Sequence, residues 1–176
     1  MQDPTYHLSC LKPVWAFHPS GQTLVACRKC TKCLNFKRRK WVYRMNLESI
    51  YWPKIWLITL TYRNLQDANY KTTQLYLKRL RKRLNGQPLK YFAATEYGSL
   101  RGRYHLHLIV FGTRELTYRV VTADWHHGFI HAKNIKDSFS SKTLSSTRPF
   151  NYVAKYTVKD SSERVRASSK LLPPRS

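Results

Sequence analysis

The chain has 176 residues, 42% hydrophobic and 14% aromatic, which suffices for one domain with its own core and is too apolar for a chain kept unfolded by charge. Its 32 Lys and Arg against 9 Asp and Glu leave a formal charge of +23, more than solubility asks for, so a polyanionic partner is implied. The opening Met1-Gln2-Asp3-Pro4-Thr5 lacks the layout of a signal peptide and no run reaches membrane-span length, which predicts an intracellular protein whose Cys are thiols or metal ligands rather than disulfides.

Residues 1–33 hold all four Cys with Pro4, Pro13, Pro19 and Gly21 and show no sustained periodicity, so they are expected as loops tied by something other than a core. Leu34 to about Trp52 reads as a basic helix with Trp41, Met45 and Glu48 at helical spacing, stopped by Pro53. A strand follows from Ile55 to Tyr62. Thr72 or Thr73 is expected to cap a helix burying Thr73, Leu77, Leu80 and Leu84, with Lys78, Arg79, Arg81, Lys82 and Arg83 on its other faces and Gly86 at its end.

Leu89 to Tyr97 and Arg103 to Phe111 read as an antiparallel hairpin turning at Gly98 to Gly102. Glu115 to Trp125 reads as helix, Gly128 to Ile135 as strand, Ser138 to Thr147 as polar loop, and Arg148 to Lys159 as a last helix. Strands in hairpins flanked by helices predict an α+β domain around a mainly antiparallel sheet. The expected division is a Cys-rich segment at 1–33, a catalytic domain at 34–160, and a flexible basic tail at 161–176.

His105 and His107 stand two apart on a strand, so both imidazoles point to one face while Leu106 and Leu108 enter the core. If the hairpin pairs near 96 and 105, Glu96 joins them, and a Glu, His, His set with open positions suits a divalent ion that also binds a phosphate oxygen. On the last helix Tyr152 and Tyr156 share a row, with Lys155 and Lys159 in the row beside it. A phenol attacks phosphorus once its oxyanion is stabilised, which a neighbouring ammonium and a polarised phosphodiester supply.

Leu57-Ile58-Thr59-Leu60-Thr61-Tyr62, Glu96-Tyr97-Gly98, His105-Leu106-His107 and Tyr152-Val153-Ala154-Lys155-Tyr156, in this order, resemble the replication initiators of the HUH endonuclease superfamily. The two-tyrosine initiators of microviruses, gokushoviruses in particular, are the nearest in pattern, from Cys10 to about Lys159. The resemblance implies an RRM-like HUH fold, Mg or Mn held by Glu96, His105 and His107, Tyr152 and Tyr156 as nucleophiles, and Lys155 near the scissile phosphate. It further implies nicking of single-stranded origin DNA through a 5′-phosphotyrosine with release of a 3′ hydroxyl, then rejoining, in rolling-circle replication within a host cytoplasm. With no G-x-x-x-x-G-K-[ST] loop in the chain, unwinding is expected from a host helicase and extension from a host polymerase.

Cys27, Cys30 and Cys33, with Cys10 upstream, have the spacing of a structural tetrahedral zinc site, although His7 or His18 could replace one ligand. Trp125-His126-His127-Gly128 and His131 are explained as well by a helix-ending glycine and surface histidines as by ligand or DNA contacts. Thr59 and Thr61 read as packing. Arg38, Arg39 and Lys40, with Lys37, and Lys78, Arg79, Arg81, Lys82, Arg83 and Lys159 are candidate DNA contacts. A non-catalytic, zinc-stabilised single-stranded nucleic-acid-binding protein is the main alternative; a plasmid initiator, relaxase or transposase would keep the chemistry and change the biology.

Overall fold

The computed structural model describes residues 9–97, 104–136, 148–157 and 166–167. In chain order its elements are β1 (Val14–His18), β2 (Gly21–Val25), α1 (Thr31–Ser49), β3 (Lys54–Thr61), α2 (Tyr70–Arg83), β4 (Leu89–Tyr97), β5 (Tyr104–Gly112), α3 (Tyr118–Thr122), β6 (Ile130–Asn134), α4 (Arg148–Ala154) and β7 (Arg166–Ala167). Five strands form an antiparallel sheet in the order β6-β3-β5-β4-β7, and β1 and β2 form a separate ribbon. The expected α+β architecture is thus the one observed.

Period-two alternation sorts the core into two halves. Trp56, Ile58 and Leu60 of β3 and Leu106, Leu108 and Val110 of β5 face α2, which contributes Tyr76, Leu77, Leu80 and Leu84. On the opposite face Ile55, Ile109, Phe111, Phe92 and Ala94 pack against Met45 of α1 and Phe150, Val153 and Ala154 of α4. Because β5 is covered on both sides, Leu106 to Phe111 is a continuous buried run.

The α1 face read from the sequence does meet the sheet. Trp41 lies 5.0 Å from the Phe92 ring, Met45 is buried, and Glu48, also buried, pairs with Lys90 at 2.6 Å and accepts from the Trp52 indole. The cap of α2 is Asn69 rather than Thr72 or Thr73: its extended backbone starts the helix at Tyr70, and its side chain accepts from the Thr72 amide at 3.0 Å. Thr72 and Thr73 are buried in the first turn.

Four further expectations change. The helix expected over 115–125 is confined to α3, since the Leu116 carbonyl accepts from Trp56 Nε1 and the Trp125 indole donates to the Thr61 carbonyl, drawing both ends into loop contacts. Gly128 ends no helix; a Cβ there would lie 2.3 Å from the Thr61 carbonyl oxygen, so its bare backbone lets the loop close on β3. The N-terminal segment is not all loop, because β1 and β2 pair from Val14↔Val25 to His18↔Gly21. Within the stretch expected as a tail, Arg166 and Ala167 pair with Ala93 and Phe92.

The last helix tightens after Ala154 into a 3-10 turn at Lys155–Thr157. The turn expected at 98–102, the loop at 138–147 and Lys159 lie outside the described residues. No helix among the described residues is long and apolar enough to cross a membrane.

Candidate active site

Register decides which side chains meet. On β5 and β4, Glu96 is the Cα partner of His105 and Ala94 that of His107, while on β3 Thr61 stands opposite His105 and Thr59 opposite His107. The ligand atoms of Glu96, His105 and His107 accordingly all lie within 4.8 Å of one another. Donors about 2.1 Å from an octahedral ion stand roughly 3 Å apart when adjacent, and His107 Nε2 is 3.1 Å from Glu96 Oε2. The set fits a divalent cation.

His107 is 2% exposed, and burial holds its imidazolium below the ordinary histidine range against the opposing pull of Glu96. It is therefore neutral at pH 7, the state in which a ring nitrogen ligates. Its second nitrogen, Nδ1, is 3.1 Å from Thr59 Oγ1. Since a carboxylate only accepts, Nε2–H donates to Glu96 here and Nδ1 accepts from the Thr59 hydroxyl. Thr59 is thus a ring-orienting partner, which its place in a β-branched strand run does not signal.

The tyrosine segment packs over the same face. Tyr156 stacks on His107 with centroids 4.6 Å apart and planes 5° off parallel, and Tyr152 meets the ring edge-on at 5.5 Å. The phenols are 5.6 Å apart, centroid to centroid, and Lys155 Nζ lies 4.3 Å from the Tyr152 ring and 4.6 Å from that of Tyr156. Tyr152 is 42% exposed, whereas Tyr156 is 1% exposed. The 3-10 turn contributes to the difference, since it advances about 120° per residue instead of 100° and rotates Tyr156 inward. Burial, then hydrogen bonding with Tyr152 and with Glu96, pushes the Tyr156 phenol far above its ordinary value.

The four cysteines also converge. Cys10 Sγ is 3.8 Å from Cys30 Sγ and 3.5 Å from Cys33 Sγ, Cys27 Sγ is 3.9 Å from Cys33 Sγ, and all four sulfurs lie within 4.8 Å of one another. Four thiolates at 2.3 Å from a tetrahedral zinc would stand about 3.8 Å apart, so the cluster has the dimensions of a zinc-binding segment. Amides of Cys33 and Leu11 lower the Cys30 thiol to about 6, favouring the ligating thiolate.

The other candidates disperse. His127 pairs with Asp67 at 3.2 Å, and His131 stands on β6 beside Thr59. Lys78, Arg79, Arg81 and Lys82 are exposed on α2, across the sheet from the histidines, and Arg83 there is held by Asp124 through two hydrogen bonds. Arg39 and Lys40 are exposed and Arg38 half-buried on α1, which lies on the histidine side.

The chain is 30% identical to replication-associated protein VP4 of Bdellovibrio phage phiMH2K over 86% of its own length and 58% of that protein's. It is 33% identical to replication-associated protein ORF4 of Chlamydia phage 1, over 49% of this chain and 23% of the other. For replication-associated protein ORF2 of Spiroplasma virus 4 the figures are 29% identity, 77% and 48%. The chain thus spans at most 58% of the length of these relatives. Residues 55–161, from the start of β3 past the tyrosine segment, match the ORF2-type family of replication-associated proteins, and the chain belongs to that family.

Proposed function

We propose that this chain is a metal-dependent nicking and joining enzyme that initiates replication on single-stranded origin DNA. The observation carrying this reading is the stacking of Tyr156 and the edge contact of Tyr152 on His107, which is itself 3.1 Å from Glu96. Glu96, His105 and His107 would hold Mg or Mn, and the bound ion would supply Lewis-acid polarisation of the phosphodiester. With Nε2 given to the ion, the His107 proton moves to Nδ1 and the Thr59 hydroxyl turns to accept it. Cys10, Cys27, Cys30 and Cys33 would hold a structural zinc.

Tyrosine Oη attacks phosphorus as the P–O3′ bond breaks; the phenol releases its proton and the departing 3′ oxygen takes one up. One phosphoester bond replaces another, so rejoining needs no nucleotide cofactor. The Lys155 ammonium, over both rings, favours the phenolate during attack. Arg39 and Lys40 on the histidine side suit the strand's backbone, while α2 suits it less, being across the sheet. Membership of a replication-associated family supports a role in rolling-circle initiation; host helicase and polymerase would supply unwinding and extension.

Exposure makes Tyr152 the first nucleophile and leaves Tyr156 for the second transfer. On a linear origin-like single strand with Mn, Tyr152→Phe should lower the first covalent adduct by about a hundredfold or more. Tyr156→Phe should lower it by less than about tenfold, and the double variant should bind the strand but form no adduct. An adduct surviving both substitutions would leave the binding-protein alternative standing.

Thr59→Val keeps the shape of the side chain and removes the partner of His107 Nδ1. Mn affinity, measured by calorimetry, should fall about ten- to a hundredfold. Unchanged affinity would reduce Thr59 to packing.

A further inference from the structure

The N-terminal ribbon exposes rings that the site above does not use. Trp15 and Phe17 stand two apart on β1 and so share a face, with Leu24 and Gln22 opposite them on β2. Trp15 is 61% and Phe17 75% exposed. The ribbon begins just after Cys10 and ends just before Cys27, so the sulfur cluster clamps both its ends. From that cluster α1, with Cys33 in its first turn, runs along the sheet to pack on α4 and the Lys155–Thr157 turn.

Charge around these rings is one-sided. Between Asp3 and Glu48 the sequence has no acidic residue, while Lys12, Arg28, Lys29 and Lys32 flank the ribbon and cluster and α1 continues with a basic run. Two large rings on a short exposed ribbon mark an interaction surface. Surrounded only by cations, they suit a partner offering flat apolar faces and a regular negative charge, which unpaired bases on a phosphate backbone provide and duplex DNA does not.

We propose that the Trp15 and Phe17 face is a stacking platform for single-stranded DNA, fixed in place by the sulfur cluster and separate from the tyrosine centre. The proposal rests on the reading that this chain acts on single strands. It adds an anchor for a strand segment that is not itself cut.

The test is fluorescence anisotropy with a labelled oligothymidylate of about twenty nucleotides and with a duplex of equal length, no Mn added. The zinc-loaded full chain carrying Trp15→Ala and Phe17→Ala should bind the single strand at least about tenfold more weakly and the duplex unchanged, and Trp15→Tyr with Phe17→Tyr should restore binding. Equal losses on both probes, or unchanged single-strand affinity, would overturn the proposal; so would a shift in oligomeric state without loss of affinity, which would assign the face to a second copy. Should the alanine variant fail to load zinc, Trp15→Phe decides: its fluorescence quenching by the oligonucleotide should fall short of wild type, and equal quenching overturns the platform. Wild-type adduct formation with Mn is measured alongside, so a platform that binds in a chain that does not nick, or the reverse, separates the two readings.

Discussion

Glu96→Gln should lower the nicking rate by on the order of a thousandfold while leaving strand binding within about threefold. The substitution keeps the side chain's shape beside His107 and Tyr156 but removes the one carboxylate of the ligand set. The charge that holds a divalent ion, and with it several kcal/mol of transition-state stabilisation, is then lost. Affinity for the strand comes mainly from the +23 charge, which one neutralisation hardly alters. His107→Ala should lose as much rate, but it also empties a buried position stacked on Tyr156 and should cost stability of about 1–3 kcal/mol. Single-turnover cleavage across a Mn titration, with thermal melting as the folding control, measures both. A Glu96→Gln chain nicking at the wild-type rate would remove the metal from the mechanism.

The second large effect concerns zinc. Purified chain should carry zinc, and chelation or Cys27→Ser with Cys30→Ser should release the N-terminal ribbon while the central sheet stays folded. The ribbon is exposed at most positions, and an isolated two-stranded hairpin is marginal in water. Sulfur–metal bonds are left to provide its folding energy. By contrast Ile55, Ile58, Leu60 and Leu106 to Phe111 are buried within two core halves that do not depend on the cluster. Amide exchange should therefore show Val14–Val25 losing protection on chelation and β3 and β5 keeping theirs. Unchanged protection of the ribbon in metal-free chain would show that it holds itself.

These elements differ in how plainly the sequence declares them. β3, β4 and β5 are legible because a buried sheet selects apolar residues in period two, and Glu96 and His105 fall in register because the hairpin does. The Tyr152 and Tyr156 pair is legible as a row on a helix. Its inequality is not, because it arises partly from the 3-10 winding after Ala154 and from packing on His107. β1 and β2 are hidden for the opposite reason: a ribbon with both faces largely exposed has no inside to impose alternation, so Val14 to Val25 carries no strand pattern. Asn69 escapes notice beside two threonines that look like better caps, and Thr59 beside the β-branched residues of its own strand. In both cases the deciding hydrogen bond is tertiary or set by backbone conformation rather than by spacing.

If the proposed chemistry holds, a tyrosine of the Tyr152 to Tyr156 segment becomes covalently joined to the DNA. Trypsin cuts after Lys155 and so places Tyr152 and Tyr156 on different peptides, which lets one experiment identify the nucleophile. Wild-type chain is incubated with Mn and an origin-like single strand, denatured, digested with nuclease and trypsin, and read by mass spectrometry. The predicted result is a nucleotide phosphate on the peptide ending at Lys155, absent when Mn is withheld. A nucleotide on neither peptide, with the strand bound and the metal present, would contradict a tyrosine nucleophile in this chain.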